Sequence, residues 1–351
     1  MKNIISLLTA TFLLSACQAH QKIIPEVKVS KPSMVTRHSE YANGLEQLGE
    51  LLHAYDLPTI ALTVEPINDK TASGGGKIPQ DVTMLVESAI QNIGEKVHLM
   101  PYGGSALEDA KQNGWGLYAV HGAITEFDAN TTSQNSGGQV GMYVQDLDIG
   151  ADSSSSFRSG TIAMDFLLLD VAHGSYIPGV KATAKAVIEN KDESQGFSFS
   201  ILGNGFGVNG SAVAKSPIHH VVNLMIEYSM IQLVGQKKKL PYWLVLHGAD
   251  PDYRLMRRME RTFDRKPPEN KNMIISYIMN QFDPSIAPLQ SALDASTLNA
   301  IARFKRQSGL IPPDGSVTSA LHMKLLTDGT KYNQKNSIES DADDLLNTVF
   351  D

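Results

Sequence analysis

Residues 179–201 carry the pattern that most restricts the fold, a regular alternation of polar and apolar side chains. Lys181, Thr183 and Lys185 fall on one face of an extended strand. The residues on the opposite face are all apolar: Ala182, Ala184, Ala186 and Ile188. Such a strand is either half-buried on a soluble core or placed between lipid and a wet lumen. Taken alone, these residues favour the soluble alternative.

The regions on either side of this strand predict a mixed α+β fold. Strands are predicted at 59–64, 97–100 and 117–127, with helices at 41–54, 82–93 and 105–111 between and before them. This order implies an α/β layer. Residues 128–215 predict four strands, at 130–150, 153–171, 179–188 and 197–213. A long apolar helix is then predicted from Ser216-Pro217 to about Gly235, because Ser is a good cap and Pro suits the first turn.

The N-terminus predicts export. Met1-Lys2-Asn3 precedes a largely apolar run from Ile4 to Leu14, which is shorter than the roughly 20 residues of a transmembrane helix. The run ends Leu14-Ser15-Ala16-Cys17, which resembles the lipobox of bacterial lipoproteins. The resemblance implies a signal peptide over residues 1–16, acylation of Cys17 with chains such as palmitate, and a lipid-anchored tether over 17–40. Gln18 implies sorting to the periplasmic face of the outer membrane in a Gram-negative bacterium. The alternative is an ordinary signal peptide with an incidental cysteine.

Composition and motifs argue against nucleic-acid binding and catalysis. The formal net charge of −7 disfavours a nucleic-acid partner. HExxH, GxSxG and SxxK motifs are missing from the sequence, and its single cysteine is assigned to lipid. Gly205 to Gly210 spells a dinucleotide fingerprint, but Pro217 intervenes before any long helix. Lys77 is followed by Ile78 rather than Ser or Thr, so Gly74 to Lys77 is not a phosphate loop, and His219-His220 is interpreted as surface. We therefore expect no enzyme, no cofactor and no metal.

Residues 59–234 resemble the CsgG-like family of curli-production outer-membrane lipoproteins. The resemblance is carried, in order, by the lipobox, the segment Val64 to Thr71, the strand Tyr118 to Phe127, Ile149 to Asp152, Leu169 to Val171 and the helix after Ser216-Pro217. It implies a periplasmic α/β domain over 41–248 that donates two β-hairpins, about 128–156 and 157–215, to an oligomeric transmembrane β-barrel. Four strands cannot close a barrel alone, so spanning would require a homo-oligomeric ring.

The same resemblance assigns roles to individual residues. Lys181, Thr183 and Lys185 would face the lumen, while the alanine face and Ile188 would face lipid. The loop that narrows the channel in the family corresponds here to the candidate pore loop Ser73, Gly74, Gly75, Gly76 and Lys77. This loop has no aromatic residue, which departs from the family pattern and leaves a collar or scaffold role open.

Residues 273–328 resemble the small all-α peptidoglycan-binding domain of the PG_binding_1 type. The motif residues are Thr297, Phe304, Asp314 and Gly315. Thr297 is predicted to cap the helix that carries Phe304, and Asp314-Gly315 to make the turn into the last helix. Residues 249–272 are interpreted as a linker and 329–351 as a flexible acidic tail. The alternative is a generic three-helix packing module.

Two principal hypotheses follow. In the first, the chain is an oligomeric secretion channel or assembly ring of the outer membrane. It would be anchored to peptidoglycan and would serve an exported polypeptide, a surface fibre or polymer, or another envelope machine. In the second, it is a periplasmic scaffold or adhesion lipoprotein that tethers the outer membrane to peptidoglycan without forming a pore. A degenerate cell-wall enzyme is a third alternative.

Overall fold

The computed structural model describes residues 42–71, 78–129, 159–190, 197–203, 206–212, 217–246 and 249–328. The described chain is built around one mixed sheet with helices, which confirms the predicted α+β class. The seven strands lie in the order β2-β1-β3-β4-β5-β6-β7. Their bounds are β1 Ile60–Val64, β2 Val97–Leu99, β3 Gly116–Ala129, β4 Ser159–Asp170, β5 Ser175–Asn190, β6 Phe197–Gly203 and β7 Phe206–Ala212.

The sheet joins a parallel part to an antiparallel part. β1 pairs in parallel with β2 and β3, as expected for strands separated by helices. From β3 to β7 every neighbouring pair is antiparallel. A β-bulge between Ile124 and Glu126 shifts the register of the β3–β4 pair. The predicted strands at 59–64, 97–100 and 117–127 agree with the structure to within a few residues.

The described part of the chain contains eight helices. They are α1 Ala42–Ala54, α2 Thr83–Gln91, α3 Ala106–Gln112, α4 Pro217–Lys238, α5 Tyr253–Asp264, α6 Pro268–Asn280, α7 Ala295–Gln307 and α8 at 319–328. A short 3-10 helix, Tyr242–Val245, follows α4. None of the described helices combines the length and the apolar character needed to cross a membrane.

Helix α4 lies at the centre of the main core. It packs against β5 on one side and against α1 and α2 on the other, and most of its residues are buried. The other face of the sheet has a smaller apolar cluster where α3 packs on β3: Ala61, Ala106, Ala110 and Leu117. The parallel part of the sheet is therefore covered on both faces, whereas the antiparallel part is covered by α4 on one.

Three sequence predictions require correction. The strand predicted over 197–213 is two short antiparallel strands, β6 and β7, of 7 residues each. The linker predicted over 249–272 contains α5, which the Asp252 side chain caps by accepting from the backbone N–H groups of Arg254 and Leu255. The cap of α7 is Asp294 rather than Thr297, because the carboxylate of Asp294 accepts the backbone N–H of Thr297 at 2.7 Å.

The first predicted hairpin, 128–156, lies outside the described residues from 130 onward, as do 1–41 and the acidic tail 329–351. The described strand β4 begins at Ser159, within the predicted strand 153–171, and its partners are β3 and β5. The second predicted hairpin contains the antiparallel pair β5–β6, with Ala186 opposite Ile201. The two faces predicted for residues 181–188 can therefore be compared directly with the structure.

Candidate functional site

Lys181, Thr183 and Lys185 lie on the face of β5 that α4 does not cover. Thr183 donates from Oγ1 to Oδ1 of Asp165 on β4 at 2.7 Å. Lys185 donates from Nζ to Oε1 of Glu126 on β3 at 2.8 Å, and both side chains of this pair are nearly half exposed. The structure thus brings the three predicted residues to one polar face, as their alternation requires. Their assignment to a lumen stays a prediction.

The apolar side chains of β5 face α4. Ala182, Ala184 and Ala186 are fully buried and Ile188 is 1% exposed. Small side chains allow the helix to approach the sheet closely. The approach is also close at Gly203 on β6, because a Cβ there would lie 2.3 Å from the hydroxyl of Tyr228 on α4. The expectation that this face meets lipid is wrong for the described fold, because the chain covers the face with its own helix.

The polar face continues toward the parallel part of the sheet. Glu65, directly after β1, and His121 on β3 are joined by a hydrogen bond of 2.6 Å between Oε2 and Nδ1. The ring of Tyr176 on β5 lies edge-on to His121, with 5.7 Å between centroids. Sequence reasoning missed this cluster because its members are far apart in the chain, and only the strand order brings them together.

The lipidation residue and the candidate pore loop cannot be compared with the structure. Cys17 lies in the segment 1–41, and Ser73, Gly74, Gly75, Gly76 and Lys77 lie within 72–77, both outside the described residues. No group of three or more His, Cys, Asp or Glu side chains in the described ranges is placed to hold a metal ion.

The C-terminal helices form an open cleft between α6 and α7. It has a volume of about 280 Å³, and its lining includes Phe282, Asp283, Arg303, Phe304 and Gln307. The Arg303 guanidinium lies 3.8 Å from Oδ2 of Asp283 and remains mostly exposed. Hydrogen bonds from the Ser285 hydroxyl and backbone N–H, with the nearby Arg303 charge, lower the pKa of Asp283. The cleft therefore combines aromatic walls with a cation and an anion at its rim.

Of the four predicted motif residues, one lines this cleft and three support it. Phe304 contributes a wall. Thr297 is fully buried and its hydroxyl accepts from Nε2 of Gln290 at 2.9 Å. A Cβ at Gly315 would lie 3.1 Å from Leu298, so glycine there allows the last turn to approach α7. The motif residues thus mainly stabilise the fold around the cleft. The charged side chains that line the cleft are Asp283 and Arg303, which sequence reasoning missed.

Asp314 stabilises its turn by pairing with the buried ammonium of Lys305 on α7. Lys305 is 1% exposed, and its ammonium donates to Oδ1 of Asp314 at 2.9 Å and to Oγ of Ser316 at 2.8 Å. Hydrogen bonds from the Ser316 hydroxyl and from Lys305 hold the pKa of Asp314 well below its usual range. This pair ties the turn at 314–316 to α7, because a buried ammonium without an acceptor would be strongly destabilising.

Comparisons with known proteins assign neither a family nor a function to this chain. No protein-family model matches the chain, and no curated protein matches it. Among solved structures, the chain is similar to a dodecamer of a variant PelC from Paraburkholderia phytofirmans, with 14% sequence identity and a TM-score of 0.23. The match covers 49% of this chain and 84% of that chain. A likeness this distant assigns neither a family nor a function, so the CsgG-like and peptidoglycan-binding resemblances stay predictions.

Proposed function

We propose that this chain is a lipid-anchored scaffold of the outer membrane that tethers the membrane to peptidoglycan and forms no pore of its own. The observation that carries the proposal is the burial of the alanine face of β5 beneath α4. A hairpin that spans a membrane must present an apolar face to lipid. Here that face is already occupied within the chain.

The lengths of the last two strands support the same interpretation, although β4 and β5, with 12 and 16 residues, are long enough to span. A transmembrane strand needs about 9–11 residues, whereas β6 and β7 have 7 each. Attachment to the membrane then depends on acyl chains at Cys17, and two or more chains are sufficient for stable anchoring. The tether over 17–40 would place the folded unit in the periplasm, close to the cell wall.

The cleft between α6 and α7 is the candidate peptidoglycan site. Peptidoglycan presents sugar rings and peptide carboxylates. Phe282 and Phe304 supply apolar surface for the rings, and the exposed guanidinium of Arg303 suits a carboxylate. The long separation of 3.8 Å between Arg303 and Asp283 means that the guanidinium can turn to an incoming anion with little loss.

Retention of the full chain on purified sacculi tests this site. We expect Arg303→Ala to reduce retention roughly tenfold, because a charge-assisted hydrogen bond to a carboxylate is lost. Arg306→Ala is the matched control, since Arg306 is exposed on the same helix but does not line the cleft. Equal retention of the Arg303→Ala and wild-type chains would contradict the assignment of the cleft.

Fractionation of cells tests the anchor. We expect Cys17→Ala to move the chain from the membrane fraction to the soluble periplasmic fraction, because the acylated residue is removed. A Cys17→Ala chain that stays in the outer membrane, and leaves it only in detergent, would overturn the proposal of a lipid anchor.

The second candidate is an oligomeric assembly ring or secretion channel. It is favoured by the sheet edges, because β2 and β7 are each paired on one side only within the described residues. Unpaired edges can join copies of a chain edge to edge. Electron microscopy of the detergent-extracted chain separates the two candidates: closed rings with a membrane-embedded barrel would support the channel, and monomers would support the scaffold.

A further inference from the structure

A second cavity, larger than the cleft and sharing no lining residue with it, lies where β1 and β3 begin. Its volume is about 430 Å³. The end of α4, the segment after α1 and the end of α5 line it, and it is partly open to solvent. The inference drawn from this cavity goes beyond the proposed function and does not depend on it, because the candidate peptidoglycan site is built from other residues.

Four lysines from two separate elements line the cavity. Lys237, Lys238 and Lys239 come from the end of α4, and Lys266 follows α5. None of the described residues that line the cavity is acidic. This concentration of positive charge occurs in a chain whose formal net charge is −7, so it is a local property of the site.

The ammonium groups in this cavity contact neutral partners. Lys238 donates to the backbone carbonyl of Pro58. Lys266 donates to the carbonyl of Tyr55 at 2.6 Å, and Lys237 lies over the ring of Tyr118 at 3.8 Å from its centroid. Carbonyl oxygens and an aromatic face stabilise a cation less than a carboxylate or phosphate does. An anion that entered the cavity would therefore improve the contacts that these cations make.

Burial lowers the pKa of two of these lysines. Burial, together with the positive charges of Lys237 and Lys96, lowers the pKa of Lys238 to about 8. Burial also lowers the pKa of Lys266, opposed by the negative charge of Asp56. An anion in the cavity would reverse these effects, because it stabilises the charged form of every lysine around it.

The helix dipole of α4 accounts for only part of this arrangement. Cations are favourable within the last turn of a helix, which explains lysines at 237 and 238. It does not explain Lys266, which comes from another element. Lys239, directly after α4, has a positive φ of 57°, a backbone conformation that glycine adopts without strain and that lysine rarely adopts.

We propose that this lysine cavity binds a phosphate-bearing ligand. A phosphate monoester carries up to two negative charges and three strong acceptor oxygens, which matches several convergent ammonium groups better than a single carboxylate does. The cavity is larger than a phosphate. The remaining space borders Leu57, Ile60 and Tyr118 and suits a glycerol or sugar group attached to the phosphate.

Calorimetric titration of the purified full chain in detergent tests the proposal. The two probes are inorganic phosphate and dihexanoyl phosphatidic acid below its micelle concentration, a short-chain lipid whose headgroup is a phosphate monoester on glycerol. We expect at least one probe to bind. We expect the double variant Lys238→Gln, Lys266→Gln to bind that probe at least roughly tenfold more weakly than the wild type does. Lys111→Gln is the matched control, since Lys111 is exposed on α3 and does not line the cavity.

The relative affinities of the two probes show whether the site exists and which kind of phosphate-bearing molecule it binds. Tighter binding of the lipid than of phosphate identifies a lipid headgroup, and equal or tighter binding of phosphate identifies the free ion; both support the site. Absence of binding by both probes overturns the proposal. It is also overturned if the double variant binds as the wild type does, or if Lys111→Gln loses as much affinity. If the double variant fails to fold by circular dichroism, Lys237→Gln and Lys239→Gln together are held to the same criterion.

Discussion

At the scale of single residues, His322 joins three elements of the fold. It is fully buried on α8, and its Nε2 lies 2.8 Å from the hydroxyl of Tyr55. Its ring stacks on Phe263 of α5, with 4.1 Å between centroids. Burial lowers the pKa of His322 from its ordinary 6.5 to about 3, although the negative charge of Asp264 opposes the shift. The folded chain therefore holds this imidazole neutral.

Stability should consequently fall as the pH is lowered through the window between 6.5 and 3. In that window the unfolded chain binds a proton at His322 that the folded chain does not, which costs up to about 1.4 kcal/mol per pH unit. We expect His322→Leu to remove this part of the slope. We also expect a loss of about 1–3 kcal/mol at pH 7, because the buried hydroxyl of Tyr55 loses its partner.

Urea unfolding at pH 7, 5 and 4 measures both effects. His53→Gln is the control, because His53 is exposed on α1 and its replacement should leave the slope unchanged. Parallel pH profiles for the wild type and His322→Leu would show that another group causes the acid sensitivity.

At the scale of elements, the surroundings of the apolar face of β5 distinguish a membrane-spanning hairpin from a sheet covered by a helix. Its two faces were predictable from sequence, since a period of two residues places alternate side chains on opposite faces. What covers the apolar face was not predictable, because lipid and an apolar helix select the same small and apolar side chains. The structure assigns the face to α4, with Ala182, Ala184 and Ala186 fully buried.

Enlarging a side chain on this face tests the assignment. Ala184→Leu should destabilise the chain by about 1–3 kcal/mol, because no space remains between β5 and α4 for a larger side chain. A lipid-facing position would accept leucine without loss. Val187→Leu on the partly exposed face is the control and should change stability by less than about 0.5 kcal/mol.

Denaturant unfolding of the two variants, followed by circular dichroism, provides the measurement. If Ala184→Leu proves as stable as Val187→Leu, then α4 does not cover β5 under the conditions used. The membrane-spanning interpretation of residues 157–215 would in that case regain support.

At the scale of the whole molecule, the C-terminal helices share a core with the α+β layer. Apart from the smaller cluster beneath α3, the buried apolar residues of the described chain form one cluster that includes Leu45 of α1 and Leu326 of α8. Nε1 of Trp243 donates to the carbonyl of Leu326 at 3.0 Å, and the hydroxyl of Tyr277 donates to the carbonyl of Gln47 at 3.0 Å. These contacts couple α8 and α6 to the 3-10 helix and α1, across the boundary predicted between two domains.

Unfolding of the full chain should accordingly be one cooperative transition. Tryptophan fluorescence, to which the buried Trp243 contributes, and far-UV circular dichroism should give the same midpoint. Trp243→Phe should shift that common midpoint and reduce stability by about 1–3 kcal/mol, because the carbonyl of Leu326 loses its donor. Two separated transitions, with only one moved by Trp243→Phe, would support an independent peptidoglycan-binding domain instead.

The candidate sites were predictable from sequence to different degrees. Thr297, Asp314 and Gly315 were found because a local turn and helix pattern carries them, yet in the structure they support the C-terminal cleft and do not line it. Arg303 lies on α7 whereas Asp283 follows α6, and no spacing in the sequence links them. The lysine cavity was missed for the same reason, since a full helix and a loop separate Lys266 from the lysines of α4.

Contiguous patterns along the chain were enough to predict its periodic properties: the order of strands and helices from α1 to β3, the two faces of β5 and the α+β class. A short contiguous motif also predicts acylation at Cys17, which lies outside the described residues and stays a prediction. Those properties depend on neighbours in the sequence. Only the folded chain shows that α4 covers β5, that residues 197–212 contain two strands, and that four lysines surround one cavity. Each of these depends on contacts between distant segments, which form only when apolar faces from separate elements are buried against one another.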